Sequence, residues 1–179
     1  YAWSIGFNYI LDNDRNFFGH VARSFRSPRL DELISLVNPN PTSTDIKHQY
    51  SYDIEIGHEI KLNNTNYSIA LFRSLIKNQI VYNSAAFANQ NFDPSIHQGI
   101  ELEFDRLINP NLKLVSNLNY IDSYFTKGVE KGNQTPYVPR ISGNSSIYYN
   151  FDNKTDFSLD YKYIGKKRSG NDPNYILSK

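Results

Sequence analysis

The stretch Gln49–Phe72, QYSYDIEIGHEIKLNNTNYSIALF, decides the fold. Tyr50, Tyr52, Ile54, Ile56 and Ile60 lie on one side of an extended chain, with His58 the single polar interruption. Gln49, Ser51, Asp53, Glu55, Gly57, Glu59 and Lys61 lie on the other. The polar run Asn63-Asn64-Thr65 turns the chain. Tyr67, Ile69 and Leu71 then alternate with Asn66, Ser68 and Ala70. Successive side chains of a strand point to opposite faces, so the stretch predicts a long antiparallel hairpin with one apolar and one polar face. Strands of this length exceed the usual five or six residues, roughly. They match the roughly nine to eleven tilted residues that cross a bilayer.

The same alternation extends in both directions. Tyr1, Trp3, Ile5, Phe7 and Tyr9 oppose Ala2, Ser4, Gly6 and Asn8, and a polar turn at Asp12–Arg15 leads into a strand ending near Arg26 and Pro28. A long segment follows, with a short helical turn expected within Leu30–Leu36. Beyond the hairpin, Tyr82–Pro94 reads as a long loop rich in Asn and Ala. Ile96, Gln98, Ile100, Leu102 and Phe104 resume the alternation, Ile108–Asn111 turns it, and Leu112–Tyr120 returns. A loop over Lys127–Pro139, a strand ending at Phe151, a turn at Asp152–Thr155 and a strand from Phe157 to Tyr163 complete the pattern, with another strand starting at Tyr175. Connections thus alternate short and long, with the short ones near residues 14, 64, 109 and 153. Outer-membrane barrels have this asymmetry, short turns at one rim and long loops at the other. Soluble sandwiches do not. The reading is an all-β, antiparallel, up-and-down transmembrane β-barrel, present as an incomplete curved sheet of about eight to nine strands.

Composition agrees. The chain has 179 residues, no Cys, no Met, and 15% aromatic residues that suit interfacial girdles. Absence of Met marks it as a piece of a longer protein. A net charge of +1 argues against a nucleic-acid surface. The run Lys166-Lys167-Arg168 reads as a solvated loop. Mean hydropathy of −0.57 argues against helical membrane spans, but half of every barrel strand is polar.

With strands and loops placed, several motifs together resemble the β-barrel of a TonB-dependent outer-membrane receptor. Ala22-Arg23-Ser24-Phe25-Arg26-Ser27-Pro28 followed by Leu30-Asp31-Glu32-Leu33 resembles one signature, and Asn38-Pro39-Asn40-Pro41 resembles the box after it. Tyr52–Gly57, Asn78-Gln79-Ile80, Gly99–Glu103 and Pro136-Tyr137-Val138-Pro139 resemble later strand motifs, in family order. Two departures stand out: Pro41–Asp45 replaces the usual end of the box, and no His lies between Pro28 and Asn38, where haem-importing members hold a ligand. The resemblance implies a barrel of about 22 strands around a plug, with plug and terminal strand outside this chain. It implies a bacterial outer-membrane receptor for TonB-energised uptake of a scarce nutrient such as an iron chelate or cobalamin. Its partners would be outer-membrane lipid, the receptor's own plug, the TonB complex and a small-molecule ligand.

Candidate residues follow from place and type. Arg26 ends a strand at the long-loop rim, facing the lumen. It reads either as a rim ion pair that fixes the loop or as a clamp on an anionic ligand. Tyr82, Phe87, Asn89, Asn91 and Phe92 are candidate ligand contacts, or equally loop packing. Glu55, Glu101 and Glu103 sit in polar rows and read as partners of lumen cations or of the plug, not as catalytic acids. His20, His48, His58 and His97 show no metal-ligand spacing, so neither metal nor cofactor is expected, and no enzyme motif occurs. A passive porin and a soluble ligand-binding β-domain are the alternatives.

Overall fold

Alternation becomes a ladder of strands. The computed structural model describes residues 1–33, 45–83, 88–152 and 154–169. Its elements are β1 (Trp3–Ile10), β2 (Arg15–Arg26), α1 (Leu30–Leu33), β3 (Gln49–Leu62), β4 (Thr65–Lys77), β5 (Ile80–Asn83), β6 (Ala88–Asn91), β7 (Ser95–Asn109), β8 (Leu112–Phe125), β9 (Ile141–Asp152) and β10 (Thr155–Ile164). Eight strands form one open antiparallel sheet in the order β1-β2-β3-β4-β7-β8-β9-β10. Every strand pairs with its neighbour in sequence, except where β5–β6 forms a separate two-stranded ribbon. The up-and-down, all-β reading holds.

Register keeps each face uniform. The row Phe7–Gly19–Ile56–Leu71–Ile100–Tyr120 crosses six strands, and so does the row Tyr9–Phe17–His58–Ile69–Leu102–Leu118. Between them on the opposite face runs Asn8–Phe18–Gly57–Ala70–Glu101–Asn119. The apolar rows are open to the surroundings: Ile5 is 73% exposed, Ile54 54% and Leu71 50%. Among the described residues only Ala70, Ile80 and Phe125 are buried hydrophobics. There is no dry interior in which the apolar rows meet. A contiguous apolar face of this extent demands a non-aqueous neighbour.

Glycine lets the sheet take bulky neighbours. Phe18 faces Gly57, Phe72 faces Gly99 and Phe7 faces Gly19 across paired strands. A Cβ on Gly57 would come within 2.2 Å of the Phe18 ring, and one on Gly99 within 2.0 Å of the Tyr120 carbonyl oxygen. Each ring covers backbone that a glycine leaves bare.

Asx side chains close the short turns. The Asp14 N–H donates to Asp12 Oδ1 at 3.0 Å, Asn111 N–H to Asn109 Oδ1 at 2.9 Å, and Lys154 N–H to Asp152 Oδ1 at 2.8 Å. The fourth turn, between β3 and β4, places Asn63 at φ 48°, a left-handed conformation Asn tolerates.

One expectation changes. Tyr82–Pro94 is no plain loop, because it holds part of the β5–β6 ribbon. Its sequence alternates no apolar residues, so its backbone pairing is set by side-chain amides, described below. The helical turn forms at Leu30–Leu33. The Asn38–Pro41 box, Phe87 and the strand start at Tyr175 lie outside the described residues.

The two faces should respond differently to charge. Leu71→Arg in the full-length protein is expected to cost about 2–4 kcal/mol and Ser68→Arg, on the polar face, less than about 1 kcal/mol. Reversible denaturant unfolding after refolding into phospholipid vesicles measures both. Equal costs would contradict the assignment of faces.

Candidate functional site

Three long connections leave the same rim of the sheet: residues 27–48, 78–94 and 126–140. Polar side chains tie them together. Arg26 ends β2 on the polar face, opposite Gln49. Its Nη1 donates to both oxygens of Glu32 at 2.8 and 2.9 Å, and the Arg29 N–H donates to the same carboxylate at 2.8 Å. Burial pushes Glu32 up, but the Arg29 amide and the Arg26 guanidinium outweigh it and hold the carboxyl below its ordinary value. Asn89 on β6 donates to the Glu32 carbonyl at 3.2 Å, which docks the ribbon on α1.

Asn91 carries the ribbon's other anchor. Its Oδ1 accepts the Lys47 N–H at 2.7 Å, and its Nδ2 donates to the carbonyls of Lys47 and Asn78 at 3.0 and 2.8 Å. Gln49 Oε1 accepts the Ile80 N–H at 3.2 Å. Phe92 packs edge-on against Phe125, ring centroids 5.6 Å apart.

The third connection folds back onto the polar face. Thr135 donates to Ser123 Oγ at 2.8 Å, and its hydroxyl lies 3.4 Å from His97 Nε2. Thr135 and Ser123 are buried. Arg168 is 4% exposed, so the basic run is not wholly solvated. Its Nη2 donates to Glu130 Oε1 at 2.9 Å and its Nη1 to the Gln134 carbonyl at 3.0 Å. The Arg168 guanidinium, with Asn133, holds the Glu130 carboxyl below its ordinary value. The Arg168 carbonyl in turn accepts the Tyr137 N–H at 2.9 Å. Tyr137 sits at φ 65°, a conformation that persists in a non-glycine residue where its surroundings fix it. Gly128, at φ 75°, is seated so close to Asp93 that a Cβ would meet the carboxylate.

Between the ribbon and the third connection lies a cavity of about 260 Å³. Tyr82, Asn91, Phe92, Asp93, Glu130, Tyr137 and Arg168 are among the residues that line it. Tyr82 and Tyr137 present rings 55% and 57% exposed. The Arg168 and Glu130 charges offset each other, and Asp93 has no hydrogen-bond or ion-pair partner among the described residues, so the cavity carries a net negative charge. Of the sequence candidates, Tyr82, Asn91 and Phe92 come together here. Arg26 and Asn89 instead converge on Glu32. Sequence reasoning missed Asp93, Glu130, Tyr137 and Arg168. The one available signal was the Pro136–Pro139 motif that contains Tyr137.

Further down the polar face, Asp53, Glu55, Glu59, Glu101 and Glu103 form an acidic wall. His20 Nδ1 lies 3.7 Å from Glu55 Oε1. Glu59, Glu101 and Glu103 form no hydrogen bond or ion pair with any other described residue. On the apolar face His58 stacks on Phe17 with centroids 4.3 Å apart.

A family profile described as TonB dependent receptor-like, beta-barrel, matches residues 1–178. Solved structures with the same fold include the ferric-catecholate import receptor Fiu from E. coli K12, in its closed form (TM-score 0.70, 20% identity, 94% of this chain and 25% of that one). They include the ferric yersiniabactin uptake receptor FyuA from Yersinia pestis (TM-score 0.69, 23% identity, 93% and 26%). A third is a mutant of the ferric enterobactin receptor PfeA from Pseudomonas aeruginosa in complex with enterobactin (TM-score 0.72, 18% identity, 93% and 28%). The chain spans about a quarter of the length of these structures.

The Glu130–Arg168 pair sets a pH dependence. A depressed glutamate pKa stabilises the folded loop above the unfolded value and is lost as pH falls through the folded one. Amide-exchange protection of Gly132 and Thr135 should therefore hold from neutrality down to about 4.5, the ordinary glutamate value, and decline below it. Glu130→Gln should flatten that profile. A profile unchanged by the substitution would contradict the pairing.

Proposed function

The chain belongs to the TonB-dependent receptor-like β-barrel family, and from that premise we propose that it forms part of the wall of an outer-membrane importer. In this reading the apolar face meets outer-membrane lipid, the polar face encloses the receptor's plug, and the long-connection rim captures a small molecule. The observation that carries it is the pair of faces: apolar rows exposed over six strands, backed by polar rows, on a sheet whose connections alternate short and long.

Each part has a physical task. The rim cavity offers two exposed tyrosines, Tyr82 on a ribbon anchored by side-chain amides and Tyr137 on a connection tied by the Arg168–Glu130 pair, which suits recognition by preformed contacts. The unpartnered Glu59, Glu101 and Glu103 supply charge to cationic groups of a plug. Energy transmitted through TonB then rearranges the plug, and the ligand passes without any bond being made or broken. Ferric siderophores named for the solved relatives make iron chelates the first ligand class to test. Arg26 acts by holding α1 against the rim.

A strain lacking the gene should lose growth on the cognate ferric chelate as sole iron source, regain it with the gene restored, and lose it again without TonB. Growth that survives loss of TonB would indicate a passive channel and overturn the proposal. Tyr82→Ala is expected to raise the half-saturating ligand concentration by about ten-fold without lowering receptor abundance.

A further inference from the structure

The apolar face is not apolar to its upper edge. At the long-connection end of β2, β3 and β4, three cations point the same way as the apolar rows. Arg23 pairs with Trp3 and Tyr52, Lys77 pairs with Tyr50, and Arg73 pairs with Ile54. They stand beside exposed Val21 and Ile54.

Arg23 is held in an aromatic cage. Its Cζ lies 5.3 Å from the Tyr50 ring centroid and 5.6 Å from that of Tyr52, and it also covers Tyr1 at 4.4 Å. Its Nε donates to the Tyr52 hydroxyl at 3.3 Å and its Nη1 to the Tyr1 carbonyl. Lys77 Nζ lies 5.7 Å from the same Tyr52 ring. Two cations therefore flank one ring, at a separation on the order of a Debye length, about 10 Å. Aromatic faces attract each cation but carry no net charge to offset them. None of the three has a carboxylate partner among the described residues. The nearest acid on this face in register is Asp122, two strands beyond Arg73 and so roughly 10 Å away. Arg23 Nη2 has no acceptor among the described residues.

We propose that this patch binds the phosphate of an anionic lipid headgroup, with Arg23, Arg73 and Lys77 supplying the counter-charge and Tyr50 and Tyr52 the platform. The inference rests on the proposed lipid contact of the apolar face. It commits to a lipid because the charges begin where the apolar rows end. There an acyl chain lies along Val21 and Ile54 while its headgroup reaches the cations. Trp3 and the two tyrosines sit at the height where amphipathic rings mark a membrane–water interface. A guanidinium and an ammonium divide the work: Arg23 grips oxygen through its remaining N–H groups, and Lys77 acts as a point charge.

Native mass spectrometry of the full-length receptor, released from detergent with added lipid, tests this. The probes are phosphatidic acid and a diacylglycerol with the same chains. Phosphatidic acid should be retained preferentially, and Arg23→Gln and Lys77→Gln should each reduce that preference about five-fold. The swap Arg23→Lys with Lys77→Arg should keep it. Equal retention of the two lipids by the unmodified receptor would overturn the proposal. So would displacement of phosphatidic acid by millimolar inorganic phosphate, which would mark a soluble-anion site. Retention of neither lipid would instead count against the membrane-facing reading beneath it.

Discussion

Antiparallel pairing leaves no choice about where side chains go. Once β2, β3 and β4 exchange their backbone hydrogen bonds, residue Ile56 must face one way and Gly57 the other, and the partners Leu71 and Ala70 must follow. A slip of one residue would send every isoleucine of β3 to the polar side. Between the two edge strands the ladder also meets the strictest demand of a hydrocarbon neighbour, that backbone N–H and C=O groups be paired. One interaction thus satisfies the backbone and sorts the side chains. The Phe18–Gly57 and Phe72–Gly99 pairs show the same economy, since each ring shields backbone beside a residue with no side chain of its own.

The ladder ends at the rim, and a different chemistry takes over. There the chain runs through long connections whose described backbone, apart from the β5–β6 ribbon and two single bridges to the end of β8, lies outside any strand pairing. Side chains supply what pairing no longer does. Asn91 spends its whole amide on three backbone groups, and Arg168 joins Glu130 to the Gln134 carbonyl. On the proposed function these bonds matter because tied loops cost less ordering when a ligand arrives at the cavity between Tyr82 and Tyr137.

What could be read from sequence follows the same division. The β3–β4 hairpin was legible because its period of two runs from Tyr50 to Leu71 with His58 the one interruption, and the short turns because Asx residues mark them. At the rim the information is non-local. Nothing near Arg168 in sequence announces Glu130, and nothing in an Asn-rich stretch says that Asn91 is structural while Tyr82 stays exposed. The basic run Lys166–Arg168 looked solvated because charge density along the chain does not reveal which member is covered. The β5–β6 ribbon was hidden for a related reason, as its own Asn89 and Asn91 amides hold it to backbone of the first connection and Gln49 holds it to β3, with no apolar pattern of its own.

The two surfaces at the upper rim come from one strand read in alternate residues. In β2, Arg23 and Phe25 point to the apolar side, and Ser24 and Arg26 to the polar side. The two arginines stand three residues apart, roughly 10 Å along the strand, and their settings differ. Arg26 meets a carboxylate two residues into a short helix and is neutralised, so it serves the loop. Arg23 meets tyrosine rings, which hold its charge in place without cancelling it. A charge that is fixed and uncancelled at the edge of an apolar face is a standing demand for an anion from outside the chain. On the proposed function, a neutralised one on the inner side leaves the rim cavity to ring stacking and hydrogen bonds. The sheet's period of two thus sends an uncancelled charge to one face and a neutralised one to the other, although the residues concerned are three apart.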